Sequence, residues 1–278
     1  MTRTLTLGYS PCPNDTFIFH ALTHGLVPTA GCSVRERLED VETLNRLALA
    51  GVLDLTKVSY HALGHLRGRY ALLRSGGALG RGCGPLVIAM QPLRMPALRG
   101  KRIAIPGTLT TANLLLQLYG EGYDKVLPMP FDRIMPALQA GEAEAGVIIH
   151  EVRFTYQARG FHAVLDLGAW WENETGLPVP LGGILARRDL DPATIRTVDA
   201  AIRASLDHAR HHPAAARAYI RAHAQELDDA VIDAHIALYV NDFSLDLGDE
   251  GLRAVETLLA RAEARGLIPP CDLPLLAF

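Results

Sequence analysis

The chain has 278 residues, 49% of them hydrophobic, which is enough to bury a large core as one long domain or two smaller ones and excludes a disordered polymer. A formal net charge of -3, with Lys and Arg scattered along the chain, lacks the basic stripe of a nucleic-acid binder and suits small polar ligands better. The four cysteines, Cys12, Cys32, Cys83 and Cys271, form no C-x-x-C pair, so reduced thiols are expected and neither a zinc knuckle nor a redox motif is indicated.

The first residues, Met-Thr-Arg-Thr-Leu-Thr-Leu-Gly, lack the apolar core of about 7 to 15 residues found in a signal peptide. No run approaches the roughly 18 to 20 apolar residues needed to span a bilayer. A cytoplasmic protein with no membrane partner is therefore expected. Leu5 to Tyr9 alternates like a strand, and Ser10-Pro-Cys-Pro-Asn-Asp15 is a Pro-rich turn that ends in two good helix caps. Thr16 to His24 should be helical, stopped by Gly25. Strand, loop and helix start together offer backbone N–H groups and a positive dipole end to an anion.

From Leu44 to Tyr60 the chain reads as a helix, an Ala50-Gly51 turn, Asp54 and an apolar strand. The same grammar returns as a helix over Asp132 to Ala140, the Ala140-Gly141 turn, Glu144 and the apolar run Gly146 to Ile149, which leads straight into His150. Aligning the two turns puts Asp54 opposite Glu144 and Tyr60 opposite His150. Two copies imply two α/β lobes, each delivering a strand end to a shared cleft. An apolar run as short as Gly146 to Ile149 fits a strand buried on both faces of a parallel sheet. In the first copy Lys57 and Ser59 share a face. A lysine inside a buried run either snorkels to water or meets a substrate carboxylate.

Between the copies, Arg74 to Gly84 is glycine-rich but has no Gly-Lys-Ser/Thr ending, so it is not a nucleotide P-loop. It reads either as a tightly turned connection before the strand Leu86 to Met90 or as backbone that touches a ligand. Arg102 to Asn113 repeats the opening pattern of strand, loop and hydroxyl caps, followed by an apolar helix through Tyr119. Thr110 and Thr111 are caps first, and their hydroxyl and N–H groups can also serve a ligand. After His150, Ala163 to Leu167 reads as a strand and Leu177 to Gly183 as an extended return path. Asp191 caps a helical tail with Pro192 at its first position, with helices over Ala193 to His211, Ala214 to Ala224, Asp229 to Val240 and Gly251 to Arg265. These crossings divide the chain into residues 1–90 with 182–278 as one lobe and 91–181 as the other, the tail packing on the first.

His20 with His24, His61 with His65, and His208 with His212 stand at i, i+4 spacing, but none lies in His-Glu-x-x-His and no third ligand is near. No metal is expected. His150 differs because an apolar strand delivers it to the cleft edge. On pattern alone it is either a hydrogen-bonded core residue or a general base. Glu151 would point to the opposite face if the strand continued, which makes it a poor partner for His150.

Several long segments carry a family resemblance: Ser10-Pro-Cys-Pro-Asn-Asp-Thr-Phe-Ile-Phe-His-Ala-Leu22, Leu38 to Asn45, Arg74 to Gly82, Gly146 to Tyr156 and Asp166 to Trp171. Together they resemble the 1,4-dihydroxy-6-naphthoate synthases of the futalosine route to menaquinone, across essentially the whole chain. The resemblance implies a two-lobed type II periplasmic-binding-protein-like fold with the ligand cleft between the lobes. It implies a cofactor-free lyase that converts cyclic dehypoxanthine futalosine, a small-molecule carboxylate, to 1,4-dihydroxy-6-naphthoate and dihydroxyacetone. The family's base falls on His150, and its substrate-binding segments on Lys57, Val58 and Ser59 and on Thr111 and Ala112, with Thr110 beside them. Two rivals share the fold: a solute-binding protein, disfavoured by the missing signal peptide, and the chorismate dehydratase of the same pathway.

Overall fold

The computed structural model of the chain describes residues 3–224 and 228–278. The elements begin with β1 (Arg3–Tyr9), α1 (Pro13–Thr23), β2 (Cys32–Leu38), α2 (Val41–Leu49), β3 (Leu55–Ser59), α3 (Tyr60–Leu66), β4 (Tyr70–Leu72) and β5 (Ala78–Gly80). Then come β6 (Leu86–Ala89), β7 (Ile103–Ile105), α4 (Thr111–Tyr119), β8 (Val126–Pro128), α5 (Ile134–Gln139), β9 (Ala145–Ile148), α6 (Val152–Thr155), β10 (His162–Asp166) and α7 (Leu167–Thr175). The long strand β11 (Val179–Arg187) leads into α8 (Pro192–His211), α9 (Arg217–His223), α10 (Asp229–Tyr239), α11 (Asp242–Leu245) and α12 (Gly248–Ala264).

Two sheets result. The first runs β2-β1-β3-β11-β4, with β5 also paired to β11, and the second runs β10-β6-β9-β7-β8. The duplicated unit occupies the same place in each: β3 lies parallel to β1 and antiparallel to β11, and β9 lies parallel to β7 and antiparallel to β6. Both sheets are therefore mixed, where the apolar run before His150 implied a parallel one. An apolar run reports burial on both faces, and burial does not encode the direction of the neighbouring strand. The acidic residues of the repeat do equivalent structural work. Asp54 accepts from the Thr6 N–H and hydroxyl, both at 2.9 Å, and Glu144 accepts from the Arg102 N–H at 2.8 Å, so each pins the entry of its strand to the next strand over.

The sheets change hands earlier than the expected crossings near 91 and 181. β6 already belongs to the second sheet, and β11 pairs with β5 of the first from Val179. The chain thus leaves the first sheet between Gly80 and Leu86, through the glycine-rich segment. A Cβ on Gly84 would lie 2.2 Å from the Cα of Gly168, so the outgoing and returning backbones touch there, and only glycine lets them.

Local starts and stops also differ from expectation in instructive ways. Helix α1 begins at Pro13, with Cys12 at the cap position and Asp15 inside the first turn, because proline is preorganised for the first helical position. β9 ends at Ile148, and His150 adopts a left-handed φ of 60°. Helices α8, α9 and α10 pack on α1, whereas α12 lies against β11, α3 and α4 and so touches both lobes. One apolar core accordingly runs through Val58 and Tyr60 of the first lobe, Ile105 and Leu115 of the second, and Leu258 of the tail.

Candidate functional site

A cleft with about 710 Å³ of empty space, part of it open to solvent, is lined from both lobes, a size suited to a small organic ligand. Lys57, Val58, Ser59, Thr110, Thr111, Ala112 and His150 all line it. Three elements supply them: the end of β3, the start of α4 and the turn after β9.

Thr110 caps α4, accepting from the Asn113 N–H at 3.2 Å while donating to the Gly107 carbonyl at 2.8 Å. The Thr111 hydroxyl accepts from the Tyr60 N–H at 2.9 Å and donates to the Leu181 carbonyl at 2.6 Å. Both hydroxyls are therefore committed, and Thr111 ties the two lobes together. What α4 retains for a ligand is its first-turn backbone N–H groups and positive end. Ser59 accepts from the Asn45 side-chain amide at 3.3 Å, which leaves its own hydrogen free to be donated.

Lys57 does not snorkel. It is buried, and its ammonium pairs with the equally buried Asp15 from the first turn of α1. Asp15 also accepts from the Ser10 N–H at 3.2 Å, the Ser10 hydroxyl at 2.7 Å and the Asn14 amide at 2.9 Å. The lysine charge is thus balanced within the protein, and a ligand would meet its remaining N–H groups at the cleft wall.

His150 is partly exposed to the cleft. Its Nδ1 lies 3.5 Å from Cys12 Sγ, and the Phe131 ring meets it edge-on at 5.0 Å between centroids. The packing around it lowers its pKa below the ordinary imidazole value, against the pull of Glu151 and Asp15 and with some help from Lys57. The neutral ring, able to accept a proton, is the favoured form near neutral pH. The left-handed φ has a further consequence: strand alternation stops, and Glu151 turns inward instead of to the opposite face. Glu151 is buried, and a carboxylate oxygen, His150 and the Cys12 sulfur all lie within 4.8 Å of one another.

His235 of α10 also lines the cleft, buried and hydrogen-bonded through Nε2 to Asn14 at 3.0 Å. No motif marks it in the sequence, because its neighbours come from α1 and the β9 turn. The i, i+4 histidine pairs behave as ordinary helix neighbours: the rings of His208 and His212 stack with centroids 4.5 Å apart, and those of His20 and His24 lie tilted at 4.4 Å.

The fold is that of the periplasmic binding proteins. An alkanesulfonate-binding protein from Xanthomonas axonopodis pv. citri, solved bound to MOPS, matches with a TM-score of 0.70 at 16% identity over 96% of this chain and 94% of that one. A crystal structure from Archaeoglobus fulgidus matches far better, with a TM-score of 0.90 and 38% identity over 95% of this chain and 98% of that one. The sequence profile of a menaquinone biosynthesis family covers residues 5–264. The 1,4-dihydroxy-6-naphthoate synthase of Thermus thermophilus is 59% identical over 271 residues, 98% of each chain. That of Streptomyces coelicolor is 48% identical over 281 residues, 99% of this chain and 98% of the relative. The chain belongs to the 1,4-dihydroxy-6-naphthoate synthase family of menaquinone biosynthesis. Among the described residues no helix is long and apolar enough to cross a membrane.

Proposed function

We propose that the protein is a carbon-carbon lyase that converts cyclic dehypoxanthine futalosine to 1,4-dihydroxy-6-naphthoate and dihydroxyacetone, with His150 as the general base and no cofactor. The observation that carries this reading is the position of His150, a neutral, partly exposed imidazole held at the cleft, in a chain whose 59% identical relative bears the synthase name. The Nδ1–H donates toward Cys12 and Nε2 takes a proton from the cyclised sugar portion of the substrate. Cleavage of the carbon-carbon bond follows, and the developing naphthalene ring supplies the driving force.

The ring carboxylate does not react, so its contacts serve binding and orientation rather than the barrier itself. Ser59, the free N–H groups of Lys57 and the first turn of α4 at Thr111 and Ala112 lie along the cleft wall and form its proposed anchor. A small carboxylate is the only partner this reading requires. The test is direct: purified protein is incubated in parallel with cyclic dehypoxanthine futalosine and with chorismate, and products are resolved by mass. Formation of 1,4-dihydroxy-6-naphthoate from the first supports the proposal. Turnover of chorismate alone assigns the dehydratase reaction instead, and binding without turnover of either assigns a solute-binding role.

A further inference from the structure

The floor of the cleft gathers several side chains able to bind a cation. Cys12, His150 and Glu151 bring a sulfur, a ring nitrogen and a carboxylate oxygen within 4.8 Å of one another. His235 adds a fourth group, its Nδ1 standing 3.8 Å from Glu151 Oε2. Both of these atoms are buried and have no hydrogen-bond partner among the described residues. The side-chain network assigns the tautomer. The Asn14 amide donates to Asp15, so its oxygen faces His235 Nε2, which therefore carries the ring hydrogen and leaves a bare lone pair on Nδ1. Two acceptors facing each other away from water are costly unless something positive lies between them.

We propose that Cys12, His150 and Glu151, which already lie together, form a binding site for a thiophilic divalent cation of the zinc class, and that His235, which stands outside that group beside Glu151, moves in as the fourth ligand. Bonds of about 2.0 to 2.3 Å to nitrogen, oxygen and sulfur in tetrahedral geometry give ligand-to-ligand edges of roughly 3.3 to 3.7 Å. The separation of 3.5 Å from Cys12 Sγ to His150 Nδ1 already has that length, and the 3.8 Å from His235 to Glu151 nearly does. A thiolate with imidazoles selects zinc over magnesium or calcium. The hydrogen bond from His235 Nε2 to Asn14, itself tied to Asp15, is the kind of support that orients a metal-bound imidazole. A cation on Nδ1 of His150 moves the ring hydrogen to Nε2 and removes the lone pair needed there for proton abstraction. The site is therefore inhibitory. That last consequence rests on the reaction proposed above, whereas the site does not, so binding and not turnover is the measurement that decides it.

Chelator-treated protein is titrated with cobalt(II) and then with zinc(II), following sulfur-to-cobalt charge-transfer absorption. The expected result is a saturable band equivalent to one cobalt per chain, displaced by zinc. It should be absent from Cys12→Ser, kept in Cys32→Ser and Cys271→Ser, and shifted to at least about tenfold weaker binding in His235→Gln. Circular dichroism establishes that each variant is folded, and the parent spectrum together with His235→Gln decides the matter if Cys12→Ser does not fold. The proposal is overturned by a parent protein without the band, by a band that persists in folded Cys12→Ser, or by unchanged affinity in His235→Gln. A protein that shows the band but turns over neither substrate keeps the site and loses the lyase assignment.

Discussion

Lys57→Met keeps the apolar stem and removes the charge, and the structure makes this first a question of stability. The lysine ammonium pairs with Asp15, and the two side chains are 8% and 1% exposed. Removing one member of a buried pair strands the other, a change that typically costs about 3 to 5 kcal/mol. Asp15 would keep three donors, from the Ser10 N–H, the Ser10 hydroxyl and the Asn14 amide, so the lower end, about 3 kcal/mol, is expected. At about 2 to 4 °C per kcal/mol for a chain of this size, the midpoint of thermal unfolding should fall by roughly 6 to 12 °C. Adding Asp15→Asn removes the stranded charge while keeping an acceptor for Ser10, and should restore at least about 1 kcal/mol. Urea unfolding of the parent, both single variants and the double variant closes the cycle. A Lys57→Met protein within about 0.5 kcal/mol of the parent, or a double variant less stable than Lys57→Met, would refute the buried-pair reasoning. KM measured on the surviving folded fraction then reads the separate proposal that Lys57 helps anchor the carboxylate.

Replacing His150 with Asn should lower kcat by about 10² to 10⁴-fold with little change in KM. Asn tolerates the φ of 60° that His150 adopts, so unfolding of this variant should match the parent, and near-normal turnover would return His150 to a structural role. Burial, aided by neighbouring His65, lowers the pKa of His61 to about 4, below its unfolded value. Its contribution to stability is therefore complete above pH 6.5, is lost as the pH falls from 6.5 toward 4, and amounts to about 3 kcal/mol. His61→Gln should flatten that part of the stability curve, and an unchanged slope would contradict the assignment. Gly84→Ala should be strongly destabilising, since the added carbon meets the Gly168 backbone at 2.2 Å with no side chain to move aside; a soluble, fully stable Gly84→Ala protein would show that the crossing can relax. Exhaustive chelation should leave turnover intact or raise it, and loss of activity restored by added zinc would make the cation a cofactor instead of an inhibitor.

The sequence alone determined what local pattern can carry. Alternation and apolar runs mark β1, β6 and β9; Thr110 and Asp191 announce the caps of α4 and α8; and the Ala-Gly repeat marks equivalent places in the two sheets. The short strands β4, β5 and β8 and the edge strand β2 carry too little periodicity to stand out. The helix α7 over Trp170 and Trp171 was hidden by residues that suit several conformations. His150, Lys57, Ser59 and Thr111 could be singled out because each lies at or near the end of a recognisable element, and all four line the cleft. Tertiary structure alone decided what those ends meet. Lys57 pairs with a residue 42 positions away and His235 with one 221 positions away, and no local pattern encodes a partner across that distance. Glu151 shows the same limit within a single turn: one left-handed residue at His150 reverses the face that strand alternation assigns it. Such a conformation is costly for a non-glycine residue and is sustained by the surrounding packing, so the assembled cleft, and not the neighbouring sequence, determines where Glu151 points.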